Sequence, residues 1–520
     1  MTSTDARRAS WLRAAACCWL VAAPMAAQEP AESASDEESQ SFDVVFVGAR
    51  VIDPETGLDA VRDVGVTGDR IAAVSASPLG SRLGEGGVLI DGRGKVLAPG
   101  FVDLHAHGQS AEANEYQVRD GVTTALELEW GYPAVGAWLE ARRGRSRVHY
   151  GASASHGMLR SLLTPSLAAQ RDEVEASFVE VSRESDPLRS FQGAVAESFY
   201  EAVPPQQFAE LAEILDHGLA EGALGIGMAH QYFPGATRAE ILSVFELAAA
   251  RSAPIFTHVR SMGVDAIQEV LANAAVTGAP LHIVHLNSSS MDDLPTTLRL
   301  IGHAQRRGLD VTTEAYPYTA GSTGLQSAIF DPGWQQRLGI DYGDLQWQDT
   351  GERLTAESFE RYRAEGGTVI LHFMREEMIE LAMATPFVIV ASDGMPFAPG
   401  AHPRSAGTFS RVLGRYVRER GVLTLADAIA RMSYHPARRL EAIAPQMRRK
   451  GRVQVGADAD LVLFDPDTVI DTATFEEGLA FSRGIEQVLV AGELVVRDGA
   501  TQEVFPGRPV RSRYADAAGD

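Results

Sequence analysis

The sequence predicts an α/β protein: a (β/α)8 barrel of the TIM type, with a small β-sandwich domain formed by both termini. Three observations carry this expectation. Across residues 101–445, short apolar runs alternate with helix-like segments, the pattern of a wound parallel sheet. The flanking regions 42–98 and 446–510 hold short strand-like runs divided by turn residues instead. Five of the apolar runs end in a residue able to bind a metal: FVDLHAH (101–107), TTALELEWG (123–131), APIFTHVRS (253–261), LHIVHLN (281–287) and FVIVASDG (387–394). All strands of a barrel open their C-terminal ends on one face, so ligands far apart in the chain can converge there.

Taken in order, residues 1–27 read as a secretory signal peptide. Arg7, Arg8 and Arg13 give a positive start, 14–27 is apolar and small, and Ala27 suits cleavage. The apolar run is too short to span a bilayer. Arg7-Arg8 before Trp11-Leu12 leaves twin-arginine export open beside the general route, and Cys17 has too little apolar chain before it for lipidation. An exported protein, periplasmic or extracellular, is the expectation. Cleavage would remove Cys17 and Cys18, the only cysteines, leaving no thiol for a disulfide, a nucleophile or a metal. Residues 28–41 (QEPAESASDEESQS) are acidic and aperiodic, a disordered tether. The 520 residues carry a net charge of −23, which argues against a nucleic-acid partner or an anionic membrane surface. No stable membrane insertion is expected.

The sandwich strands are expected within 42–57, 63–74 and 95–100, then within 451–469 and 485–499. The barrel region 99–445 offers the first two runs named above, then 148–155, 222–229, 254–259, 281–286, 310–318, 367–373 and 387–392. These exceed the eight places of a barrel by one. Helical stretches such as 205–221 and 239–251 separate them.

His105 and His107 stand two apart at a strand end, so both side chains share a face. Two imidazoles with Asp103 before them suit zinc or a similar divalent ion. His258 and His285 end two consecutive strands and join them as metal ligands. His282 falls on the other face and reads as packing. Glu127 and Glu129 also share a face, where buried carboxylates are costly unless paired or metal-bound. Glu129 lies nearer the strand end and is the chosen ligand, with Glu127 in reserve. Adjacent positions on one strand do not flank a sugar, which removes a glycosidase pair. Asp393 suits a carboxylate that touches the metal and shuttles a proton. His156 and His372 are candidates to line the pocket. His149, His217, His303 and His435 read as surface or capping residues.

With VLAPGFVDLHAH, SHGMLR, EGALGIG, QYFPG, FTHVRS, EAYPYTAGSTGL, VIVASDG, HPRSAGTFSRVLGRYVRE and KGRVQVGADADLVLFDP on the page, the chain resembles the amidohydrolase superfamily, and within it the N-acyl-D-amino-acid deacylases. The resemblance implies a site of one or two zinc ions on His105, His107, His258, His285 and Asp393, with Asp393 catalytic. It implies that Arg404 and Tyr232 hold a substrate α-carboxylate. It also implies hydrolysis of a small amide by activated water, which needs no Ser or Cys nucleophile. Gly321 and Gly324 allow close backbone approach near the seventh strand. Two departures stand out. The family usually places a bridging Cys where this chain reads ELEWG; a straight alignment puts Trp130 there, and Glu129 is the expected substitute. The family's Lys after the sixth-strand His is Asn287 here, so Asn287 becomes the substrate-facing candidate at that place. Its presence opens an alternative substrate, a cyclic amide or an unusual dipeptide. A non-catalytic exported binding protein is the remaining alternative.

Overall fold

The computed structural model describes residues 41–184, 195–395 and 397–517. The expected signal peptide, and the tether except for Ser41, lie outside the described residues. Among those described, no helix is long and apolar enough to cross a membrane.

Eight parallel strands form the barrel. They are β6 (Phe101–Asp103), β7 (Val122–Tyr132), β8 (His149–Ser155), β9 (Ile226–Ala229), β10 (Ile255–His258), β11 (Leu281–Ile283), β12 (Val311–Ala315) and β16 (Val388–Val390), in that spatial order. All but β12 are buried at every position, as expected of parallel strands covered on both sides. Just beyond the ends of β16 and β6, the Asp393 amide donates to the His105 carbonyl at 2.8 Å. Asp103 Oδ1 accepts from the amides of Ser392 at 3.0 Å and of His105 at 3.1 Å. These bonds draw the first and last strands together.

The outer helices pack by their apolar stripes. Phe208–Ala220 buries Leu211, Leu215, Gly218 and Leu219, the spacing of one helical face. Arg238–Arg251 starts at Thr237, whose hydroxyl accepts from the Glu240 amide, and stops at Ser252 in the left-handed region.

The extra strand candidate, 367–373, lies outside the barrel. It forms β15 (Thr368–His372), the centre of an antiparallel three-stranded sheet with β13 (Ala320–Gly324) and β14 (Leu345–Trp347). This insert between β12 and β16 has its own core around Trp334, Trp347 and Phe359. The run TVILH alternates poorly and resembles a buried parallel strand, so periodicity alone does not separate the two cases.

The terminal regions supply nine strands. β1 (Phe42–Asp53), β2 (Leu58–Thr67), β3 (Arg70–Ser75), β4 (Leu83–Asp91) and β5 (Val96–Pro99) come from one end. From the other come β17 (Leu461–Phe464), β18 (Ile485–Val490), β19 (Glu493–Arg497) and β20 (Ala500–Thr501). They form one continuous hydrogen-bonded sheet, branched at β1, with β5 paired to β17 where the two ends of the chain meet. Val44, Phe46, Val66, Ile90, Leu461 and Leu489 share its buried cluster. The chain then returns to the barrel, where Tyr150 of β8 exchanges backbone hydrogen bonds with Arg508 and Val510.

Candidate active site

The metal-binding candidates all stand at the C-terminal ends of barrel strands. His105 and His107 follow β6, Glu129 lies late in β7, His258 ends β10, His285 follows β11 and Asp393 follows β16. Two sit on strained backbone: φ is 31° at His285 and 51° at Asp393. Non-glycine residues adopt that region at a cost, and such strain gathers at functional sites.

β7 owes its aim to an irregularity. Its register against β8 breaks between Glu127 and Tyr132, and within the break Gly131 takes φ 70°. A Cβ there would stand 2.5 Å from Ser153 Oγ and 2.6 Å from its carbonyl oxygen. Glycine therefore permits the kink that brings Glu127 and Glu129 over the barrel mouth.

Two ligand groups result. His105, His107 and Asp393 form one, and Glu129, His258 and His285 the other; within each, the ligand atoms lie within 4.8 Å of one another. Glu129 faces both. Its Oε1 is 2.9 Å from His258 Nδ1 and 3.1 Å from His285 Nε2. Its Oε2 is 3.2 Å from His105 Nε2 and 3.3 Å from His107 Nε2. Asp393 Oδ1 stands 3.4 Å from each of those two nitrogens.

The opposite nitrogens of the rings are tied from behind. His105 Nδ1 is 2.6 Å from Glu314 Oε1, and Glu314 Oε2 is 2.9 Å from His282 Nε2. His107 Nδ1 is 2.6 Å from Glu127 Oε2. His258 Nε2 meets Gln231 Oε1 at 2.7 Å, and His285 Nδ1 meets Ser289 Oγ at 3.1 Å. With N–H groups committed to Glu314 and Glu127, the lone pairs of His105 Nε2 and His107 Nε2 face each other at 3.0 Å. The oxygens of Glu129 and Asp393 join them. Four acceptors converging this closely demand positive charge. Burial alone pushes both imidazoles down, but the surrounding carboxylates outweigh it and raise both well above the ordinary histidine value. A divalent cation meets the same demand, and a set of imidazole and carboxylate donors with ordered outer partners fits zinc.

Above the ligands lies a cavity. His107, Glu129, His258, His285 and Asp393 line one part of it. Arg404 and Tyr232 also line it. The Tyr232 phenol lies 2.9 Å from Thr323 Oγ1, and its ring packs edge-on against His258. Arg404 is 2% exposed; its Nη1 is 2.8 Å from Asp393 Oδ2, and its guanidinium lies over the Tyr316 ring. Gly321 and Gly324 line the wall contributed by β13.

Three expected pocket residues lie elsewhere. His156 opens a helix directly after β8 and puts Nε2 3.0 Å from Glu240 Oε1, inside a buried group completed by Arg160. Asn287 donates to the Tyr316 carbonyl at 3.1 Å and is not on the cavity wall. His372 bonds Gln346 at 3.0 Å, while its neighbours Leu371 and Phe373 line the cavity. For His156 and Asn287 the turn after the strand sets the direction of the side chain; His372, still in β15, faces away from the cavity that its neighbours line. His149 is buried against Asp460 rather than at the surface. His282 is not simple packing either, since it braces Glu314.

Glu314 is the main residue the sequence reading passed over. A signal existed: an acid in VTTEA, a strand otherwise without charge, needs a buried partner. Glu127, held in reserve as a ligand, orients His107 instead.

Known proteins share this arrangement of the chain. A family model described as "Amidohydrolase family" matches residues 88–496. An N-acyl-D-glutamate deacylase of Alcaligenes xylosoxydans xylosoxydans is 31% identical over 92% of this chain and 98% of its own. A D-aminoacylase of the same organism is 29% identical over 91% and 98%. The crystal structure of N-acyl-D-glutamate deacylase from Bordetella bronchiseptica, complexed with zinc and a phosphonate mimic of the tetrahedral intermediate, superposes with a TM-score of 0.74 at 27% identity. It covers 91% of this chain and all of that one.

Proposed function

Because this chain belongs to the amidohydrolase family, and within it to the N-acyl-D-amino-acid deacylases, we propose that it hydrolyses the amide bond of N-acyl-D-amino acids, releasing a carboxylate and a free D-amino acid. The observation that carries the reading is Glu129 set between two ligand groups in a cavity that Arg404, in contact with Asp393, also lines.

His105, His107 and Asp393 would hold one zinc ion, and His258 and His285 a second, with Glu129 shared. The chemistry that a bound divalent ion supplies is acidification of water and polarisation of the scissile carbonyl. Asp393 then accepts the proton of the attacking water and returns it to the departing nitrogen. Burial pushes its carboxyl up, but Arg404 and His105 more than offset this and hold it well below the usual carboxylate range. It is therefore ionised. Arg404 offers the planar fork that matches a substrate carboxylate. Burial raises the Tyr232 phenol, which keeps it a neutral donor lining the same cavity.

The proposal includes export. The positive, then apolar, stretch over residues 1–27 supports it, and fractionation of cells producing the full chain tests it: retention in the cytoplasm would refute that part. Hydrolysis of a matched panel of N-acyl-D- and N-acyl-L-amino acids, with metal analysis of the same preparation, tests the activity. Metal-loaded enzyme that turns over no D compound would overturn it.

A further inference from the structure

Away from the ligand groups the cavity wall mixes apolar surface with uncharged hydroxyls, those of Ser288, Ser322 and Thr323 among them. Trp130, Met262, Ile329, Leu371, Phe373 and Met395 present indole, thioether, aliphatic and phenyl surface to it. Arg404 is the one Lys or Arg on the wall among the described residues. The nearest cation in sequence to Met262 is Arg260, which is committed to Glu269 at 3.0 Å and to the Ala236 carbonyl at 2.8 Å. The phenols of Tyr232 and Tyr316 carry no positive charge, and burial raises that of Tyr316 to about 12.

This inventory of charge has a consequence for the substrate. A substrate whose α-carboxylate lies on Arg404 leaves no second cation for another acid. Any further carboxylate would be desolvated among apolar groups and uncharged hydroxyls, with no cation to pair it, beside Glu129 and Asp393, which are themselves anionic. An unpaired buried charge is strongly disfavoured, whereas methylene and aryl groups meet matching surface.

We propose that this enzyme selects N-acyl-D-amino acids with an uncharged apolar side chain, such as those of leucine, methionine and phenylalanine, and rejects the aspartate and glutamate derivatives. Selectivity rests on the deacylase reading above and deepens it.

The test compares kcat/KM of the zinc-loaded full chain on the N-acetyl-D derivatives of leucine, methionine, phenylalanine, aspartate and glutamate. The neutral substrates are expected to lead the acidic ones by roughly 100-fold or more, the scale on which a site rejects a group that it leaves unpaired. Equal or faster turnover of the acidic derivatives would overturn the selectivity and leave deacylation standing. No turnover of any D compound would remove both. In a second arm, Met262→Lys places a cation on the partly exposed turn after β10. It is expected to narrow the neutral-to-acidic ratio about tenfold. An unchanged ratio in the folded, metal-loaded variant would also overturn the inference, because charge would then not be what sets the preference.

Discussion

Arg404 Nη1 lies 2.8 Å from Asp393 Oδ2, both groups buried. The other oxygen of Asp393 faces His105 and His107. One carboxylate thus joins the cation suited to the substrate's acid group and the imidazoles suited to the metal. Occupancy of Arg404 by a substrate carboxylate and the basicity of Asp393 are therefore linked through a single contact.

Asp393→Asn keeps the shape of the side chain and removes its ability to take a proton. The expected result is a fall in kcat of about 10²–10⁴-fold, the usual contribution of a positioned base. The bound-metal content should fall far less. An unchanged rate would remove Asp393 as the proton carrier.

Arg404→Lys retains charge but loses the fork. KM for an N-acyl-D-amino acid is expected to rise about tenfold or more. A matched substrate amidated at its α-carboxylate should show little further loss in the variant. Equal losses on both substrates would place Arg404 outside carboxylate recognition.

Glu314→Gln and Glu127→Gln each weaken the support behind one imidazole of the 105/107 pair. Zinc affinity, read by competition with a chelator, is expected to drop about 10–100-fold in each, with the circular dichroism of the fold unchanged. Unaltered affinity would mean that the rings are held by packing alone.

The buried Glu240 serves folding. Its carboxyl lies 2.6 Å from Arg160 Nε and 3.0 Å from His156 Nε2. Burial pushes its pKa up, but His156 and Arg160 outweigh it and lower it from 4.5 to about 2. The unfolded chain therefore binds this proton first as pH falls. The stabilisation is full above about pH 4.5 and is lost progressively towards pH 2. Glu240→Gln should flatten the acid limb of the stability curve in that window. Arg160→Leu, which strands the acid, is expected to cost about 3–5 kcal/mol by denaturant titration.

The readable part of the site was the part written locally. A strand that ends in His or Asp carries its ligand with it, so His105, His107, His258, His285 and Asp393 could be placed from short segments of sequence. His156 and Asn287 resist the same logic because each follows a change of backbone direction, and His372 because it belongs to the insert's β15 rather than to a barrel strand. Ser155 caps a helix that starts at His156, and Asn287 lies in a helix begun by the left-handed His285. A strand's alternation does not extend across such a turn. The sequence offers nine runs for eight barrel places and does not single out β15 as the extra one, because the buried central strand of an insert has the same apolar run as a barrel strand.

The sequence by itself determined the barrel, the joining of the two termini in one small β domain, and the strand ends from which the imidazoles rise. Each follows from hydrophobic period and chain order. Tertiary structure alone divided the work among the carboxylates: Glu129 lies between the two ligand groups, Glu127 braces His107, and Glu314 braces His105. Alternation tells which face a side chain takes but not how high above the floor it stands. That height depends on the kink at Gly131 and on how neighbouring strands are staggered, and both are settled only when the strands pack.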